Sequence, residues 1–296
     1  MSSIEKAIER LNKAKSAPAV ELGEGEPGEF PEKDFLGEQP IEHESPEEAD
    51  AQLQPLDLSS LPISRYLIPG CTNRTLSEEY RSIKRPVIMN ALGKGAAPVD
   101  RGNLIGITSS IPGEGKTYTT LNLALSMAVE LNSTILLIDG DILRSSLSNL
   151  LGIEKNRGLT DLLTDPATQI RDVLISTQLP KLKIIAAGTR FDNSTELLAS
   201  DGMERLVNEL GQRYSDRIIL FDTPPLLATN EARVLMHLMG QVLMVVEAGK
   251  TSLEALKDSL SHISDNKVVG IVLNKTNNRF GIGGYGGYGA YAGGYY

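Results

Sequence analysis

The sequence predicts an α/β domain, doubly wound, with a mainly parallel sheet covered by helices on both faces. Three observations point there. Short runs rich in β-branched residues recur from about residue 103 onward, they are apolar along their whole length, and stretches with helical periodicity separate them. The chain has 296 residues, 41% of them hydrophobic and 23% charged, which suits one domain of ordinary size or two small ones. That composition excludes a collagenous or wholly disordered protein.

Taken in order, residues 3 to 15 predict a short amphipathic helix, with Ser3 as N-cap and Ile4, Ala7, Ile8, Leu11 and Ala14 on one stripe. It is either a docking element for a partner or a frayed terminus. Residues 17 to 62 mix Pro, Gly and Glu with few large apolar side chains, so burial cannot offset their ordering entropy, and a flexible acidic tether is expected. Residues 1 to 62 hold 15 Asp/Glu against 5 Lys/Arg, so the net charge of -9 belongs to this segment and the remainder is nearly neutral. A general nucleic-acid surface, which needs clustered excess base, is therefore not expected.

A helix follows near 75 to 86. Its charges Glu78, Arg81 and Lys84 stand at i, i+3 and i+6, where they could simply form solvated pairs. Strands are predicted at 103 to 108, 134 to 138, 182 to 186, 217 to 221, 241 to 246 and 268 to 273. Helices are predicted near 116 to 131, 144 to 151, 158 to 164, 170 to 175, 195 to 198, 201 to 214, 229 to 239 and 252 to 265. The domain is expected over 63 to 280. Residues 281 to 296 depart again: Tyr285, Tyr288, Tyr291, Tyr295 and Tyr296, five of the nine tyrosines, are spaced by Gly and Ala in a segment too flexible for a strand or helix.

No apolar run approaches the length of a membrane helix, and the start lacks the charged-then-apolar pattern of a secretory signal. The single cysteine, Cys71, can form no internal disulfide, in keeping with a reducing compartment. A cytoplasmic location is expected.

Three constellations carry chemistry. The strand Leu104-Ile-Gly-Ile-Thr108 runs through Ser109-Ser-Ile into Pro112-Gly-Glu-Gly-Lys-Thr117 and then a helix. Glycines there let backbone N–H groups turn around phosphates while the helix N-terminus favours an anion. Pro112, Gly113, Glu114, Gly115, Lys116, Thr117 and Tyr118 would bind the nucleotide, the backbone amides of 113 to 117 surrounding the phosphates, Lys116 neutralising them and the Thr117 hydroxyl ligating Mg²⁺. Second, Ile135-Leu-Leu-Ile-Asp-Gly-Asp141 ends a buried strand in two carboxylates. Asp139 and Asp141 point the same way if the strand persists through 141, one supporting Mg²⁺ and the other activating a hydroxyl; the alternative is Asp139 capping the next helix. Third, Ile218-Ile-Leu-Phe-Asp-Thr-Pro-Pro225 ends another strand in Asp222, expected to support Mg²⁺ in the Walker B manner, with two prolines stiffening the loop. Strand ends in open parallel sheets face one crevice. Together these residues predict a nucleoside triphosphate site.

The Asp139-Gly-Asp141 motif, the Pro-Gly-Glu-Gly-Lys-Thr loop, Phe221-Asp-Thr-Pro-Pro225 and the tyrosine-rich end together resemble the bacterial tyrosine kinases, whose fold derives from P-loop ATPases. Glu78-Glu-Tyr-Arg81-Ser-Ile-Lys84 resembles the Glu-x-x-Arg-x-x-Arg helix through which that family assembles into rings. The layout is similar to free-standing autokinases associated with exopolysaccharide export, over about residues 66 to 296. The resemblance implies ATP and Mg²⁺ as cofactors, and Lys116, Asp139, Asp141 and Asp222 as catalytic residues. It implies Thr117, Asp141 and Asp222 around the metal, Asn274 reading the adenine edge (a turn-forming Asn is the alternative), and Asp139 activating the phenol. The five tail tyrosines would be phosphorylated in trans within a ring-like homo-oligomer. Implied partners are a separate membrane-anchored polysaccharide co-polymerase that recruits the kinase to the inner face of the membrane, and a cognate tyrosine phosphatase. Ser110 departs from the loop's usual first glycine, Lys84 from the last arginine of the assembly helix, and Arg144 lies one place later than the usual arginine. Ile111 stands where Min- and Par-type ATPases, the rival reading as a switch that dimerises on ATP, would carry a signature lysine.

Overall fold

The computed structural model describes residues 54–95, 98–129, 134–191, 193–213, 217–264 and 266–276. The expected N-terminal helix at 3 to 15, most of the tether and the tail at 281 to 296 lie outside the described residues. Among the described residues no helix is long and apolar enough to cross a membrane.

In chain order the elements are α1 (Arg74–Ala91), β1 (Leu104–Ser109), α2 (Lys116–Ala128), β2 (Thr134–Asp139), α3 (Ser146–Leu151), α4 (Leu159–Thr164), α5 (Ile170–Val173), β3 (Leu174–Ser176), β4 (Leu182–Ile185), α6 (Ser194–Leu198), α7 (Asp201–Arg213), β5 (Arg217–Asp222), α8 (Asn230–Leu238), β6 (Gln241–Glu247), α9 (Leu253–Ser261) and β7 (Val268–Asn274). The strands form one sheet in the order β3-β4-β2-β5-β1-β6-β7, parallel except for β3 against β4.

Why both faces are covered is visible residue by residue. Ile105 and Ile107, Ile135 and Leu137, Ile218 and Leu220, and Leu243 and Val245 point into one core with α1 and α2. Their alternates Leu104, Leu136, Ile138, Ile219, Phe221, Val242 and Met244 point into a second core with α7 and α8. A strand with a core on each side has no polar face, which is why these segments read as continuous apolar runs.

The structure corrects three expectations. The segment from 170 is helical only to Val173, and Leu174–Ser176 forms an antiparallel edge strand registered Leu174↔Ile185. Leu174 packs against one core and Ile175 against the other, a division that an extended backbone allows and a helix does not. Helix α1 does not stop at Pro86 but runs to Ala91, capped at its start by the Asn73 side chain on Leu76 N–H. Buried Leu76, Tyr80 and Val87 on its inner face outweigh the one backbone bond that proline forfeits. Lys84, grouped by sequence with an exposed assembly face, is buried and donates to the Ser126 carbonyl on α2 at 2.7 Å. Glu78, Arg81 and Arg85 stay on the surface.

Candidate active site

Register brings the expected residues together. Asp139 at the end of β2 lies beside Asp222 at the end of β5, and Asp222 lies beside Ile107, two residues before β1 enters the glycine loop. Neighbouring strands are about 4.8 Å apart, so hydrogen bonding of the sheet alone delivers two carboxylates to the loop's flank. The loop after β5 is sewn to β1: Thr223 N–H and hydroxyl both donate to the Ile107 carbonyl, and the Thr108 hydroxyl donates to the Pro224 carbonyl at 2.7 Å.

Helix α2 starts at Lys116 with Gly115 as its N-cap, left-handed at φ 96°, and no side chain satisfies the first N–H groups. Open donors at the start of a helix are what an anion needs. A Cβ on Gly115 would collide with the Asn274 amide, so this position demands glycine twice over. The loop's carbonyls are held outward: Asn274 Nδ2 donates to the Glu114 carbonyl at 2.8 Å and Lys275 Nζ to that of Gly113 at 2.6 Å. With the carbonyls tied back, the N–H groups are left to face the pocket. That pocket, about 200 Å³, is lined by Pro112, Gly113, Gly115, Lys116, Thr117, Tyr118, Asp141, Arg144, Ser146 and Pro225.

Glu114 stands apart from the other loop residues. Its carboxylate is fully buried beneath the loop, accepting from Ile111 N–H at 2.8 Å, from Glu247 N–H and from the Thr251 hydroxyl. Its side chain shapes the loop, leaving only its backbone to meet a ligand. Ser110 needs no glycine because its backbone is not left-handed; among the described residues only Arg101, Ser145 and Lys275 are non-glycines with positive φ.

At the floor of the pocket Lys116 Nζ lies 2.9 Å from Asp141 and 3.9 Å from Asp222. Burial would lower the Lys116 ammonium, but Asp222 and Asp141 outweigh it and the group is raised, hence held charged. Asp222, fully buried, accepts from the Thr117 hydroxyl at 2.7 Å and from Thr120 at 3.2 Å, and desolvation pushes its carboxyl up.

The two carboxylates of the Asp-Gly-Asp motif do not point alike, because β2 ends at Asp139. Asp141 turns to Lys116 and lines the pocket. Asp139 stays fully buried and accepts from Ser148 N–H and hydroxyl, at 2.8 and 2.7 Å, and from Asp141 N–H at 3.2 Å. Its carboxylate thus ties the strand end to the first turn of α3, but the N-cap of that helix is Ser145, so Asp139 is not the N-cap the sequence offered as an alternative. Among the described residues it has no ion-pair partner. Burial and then the neighbouring Asp222 raise its carboxyl to about 7.

Tyr118 sits at the rim, its ring 5.5 Å from that of Tyr66 and tilted by 57°. Asn274 and Tyr118 also border a second groove running between α1 and β7. The Asn274 amide nitrogen is committed to the Glu114 carbonyl, so the donor expected to read an adenine edge is already used within the loop. Sequence reasoning missed the buried Glu114 anchor with Thr251 and Glu247, the second hydroxyl at Thr120, and Ser148. Thr120 carries a signal, lying one helical turn beyond Lys116; the others come from distant segments and carry none.

Thr117 and Asp222 offer hard oxygens side by side, with Asp141 next to them, the donor set that suits Mg²⁺ when phosphate oxygens and water complete its shell. No group of three or more acidic, His or Cys ligands occurs among the described residues.

Residues 102–276 match the family model described as an AAA domain. The chain is 32% identical over 202 residues to the tyrosine-protein kinase YwqD of Bacillus subtilis (strain 168), covering 67% of this chain and 80% of YwqD. It is 32% identical over 176 residues to the tyrosine-protein kinase ptk of Acinetobacter johnsonii, covering 59% of this chain but 24% of ptk, so it spans about a quarter of that longer relative. The kinase domain of VpsO superposes with a TM-score of 0.59 at 28% identity, over 69% of this chain and 95% of that domain.

Proposed function

The chain belongs to the bacterial tyrosine-protein kinases, a P-loop ATP-binding family, and on that premise we propose that it is an ATP- and Mg²⁺-dependent autokinase acting on its own C-terminal tyrosines. The observation that carries this reading is the buried Lys116–Asp141–Asp222 cluster beneath the uncapped start of α2. Phosphoryl transfer asks chiefly for positioning and charge neutralisation, and this arrangement offers both.

In this reading the N–H groups of 113 to 117 cradle the phosphates and Lys116 leaves Asp141 for phosphate oxygens. Thr117, Asp222 and Asp141 hold Mg²⁺, which when bound neutralises charge on the transferring group. Asp141 is spent on cations. Asp139, without an ion pair and with its carboxyl raised to about 7, takes the phenol proton. It can do so only if Ser148 yields one of its hydrogen bonds in the complex. Autophosphorylation should therefore rise with pH through about 7, with that inflection lost in Asp139→Asn. A flat profile would remove Asp139 from the proton path.

We assign the kinase domain to 63 to 280, the docking helix and tether to 1 to 62, and the acceptor tail to 281 to 296. Tyr285, Tyr288, Tyr291, Tyr295 and Tyr296 accept phosphate from a neighbouring copy, in a ring whose contacts use Glu78 and Arg81; buried Lys84 is replaced there by exposed Arg85. A membrane-anchored co-polymerase recruits the kinase to the inner membrane face and couples it to exopolysaccharide export, and a phosphatase resets the tail. Mass spectrometry of the full chain after incubation with Mg-ATP tests the core of this. Phosphate on 285 to 296 supports it; ATP hydrolysis with an unmodified tail would favour a nucleotide-gated switch instead.

A further inference from the structure

Beyond Arg144 a recess of about 490 Å³ adjoins the phosphate pocket, between the loop after β2, the residues after α3 and the loop after β4. Arg144 lines both cavities. Lys155 and Arg190 stand in the recess wall, exposed, and none of the three cations has an ion pair among the described residues. One carboxylate, Glu154, shares the wall, so the lining keeps an excess of positive charge. Exposed Leu143, at 43%, offers an apolar surface among these cations. An apolar side chain among unpaired cations suits an aryl phosphate, with the ring on the leucine and the phosphate between guanidinium and ammonium groups.

The tail supplies such a group. Residues 281 to 296 contain no Asp, Glu, Lys or Arg, so an unmodified tail has no side chain for this recess. Each phosphorylation adds about -1.5 to -2 charges. Tyr285, Tyr288 and Tyr291 recur every third residue, roughly 10 Å apart in extended chain, a spacing suited to two adjoining cavities with a common wall.

We propose that this recess is a phosphotyrosine subsite: a tail tyrosine already phosphorylated docks on Arg144, Lys155 and Arg190 and presents the next tyrosine to the phosphate pocket. Phosphorylation is then self-priming, and tails carrying one phosphate proceed to several. This rests on the tail being the acceptor.

The test titrates the full chain, with Mg-ADP present, with fluorescent peptides of residues 281 to 296, either unmodified or phosphorylated at Tyr288. The phosphopeptide should bind about tenfold more tightly, and Lys155→Ala/Arg190→Ala should cut that margin to about twofold while leaving nucleotide affinity unchanged. In autophosphorylation, singly phosphorylated chains should accumulate in the double variant but not in the wild type. Equal affinity for the two peptides, an undiminished margin in the variant, or capture of anionic vesicles by these residues without preference for the phosphopeptide would each overturn the assignment. A wild-type chain that takes no phosphate at 285 to 296 would sink the acceptor reading alone, because the peptide titration needs no catalysis and still decides the recess.

Discussion

The phosphate pocket and the recess beyond it both gather cations, and they handle them in opposite ways. Lys116 is about nine-tenths buried and leans on two carboxylates, whereas Lys155 and Arg190 stand in water without ion-pair partners among the described residues. A buried charge exists only by virtue of its partners, so each member of the first cluster is coupled to the others and to pH. A solvated charge is independent, screened by salt and cheap to remove. The first arrangement fixes charge in place, and the second leaves it open to a partner from solution.

Substitutions sharpen that contrast, beginning with the largest effect. Lys116→Met should lower autophosphorylation by at least about 10²-fold, since it removes the charge facing the transferring group and strands Asp141 and Asp222. Intact mass measured over time reads this out, and near-normal activity would break the comparison. Asp222→Asn should abolish most of the thermal stabilisation given by saturating Mg-ATP, a gain of about 2.7 kcal/mol at a hundredfold excess over Kd, because the amide carries no charge and keeps one of the two acceptor oxygens that Thr117 and Thr120 now share.

Next comes Asp139. Its proton is held in the native state where the unfolded chain has released it, so the stability it contributes is complete below 3.8 and is lost as pH rises to about 7. The difference in urea midpoint between wild type and Asp139→Asn should decline over that window and be level above it. A constant difference would mean that Asp139 is ionised throughout. Glu114→Gln puts an amide among three donors and should cost about 1–3 kcal/mol in denaturation while raising the KM for ATP. The smallest effect belongs to the recess: raising salt from 50 to 200 mM, about a twofold shortening of the Debye length, should weaken phosphopeptide binding several-fold and leave the Lys116–Asp141 pair intact.

The six parallel strands were legible because a strand covered on both faces must be apolar throughout, and sequence displays that directly. The loop from Pro112 to Thr117 and the strand-end acid Asp222 were legible for a related reason: their position at the ends of such strands brings them to one edge of the sheet, whereas the direction of Asp139 was not legible. Strand β3 was not legible. Three residues carry too little periodicity, and Leu174–Ser176 becomes a strand only because β4 offers an edge with a core on either side. Lys84 misled because its spacing matched an exposed motif, while the Ser126 carbonyl that captures it lies 42 residues away.

Local periodicity and glycine placement, encoded in adjacent residues, were enough for the six parallel strands, most of the helices and the position of the glycine loop. Only the tertiary structure decided that Asp139 and Asp141 part company, that Glu114 anchors the loop from below, and that Asn274 and Lys275 hold its carbonyls outward. A side chain's direction and charge depend on what desolvates and pairs with it, and those partners come from segments that meet only when the sheet closes its register.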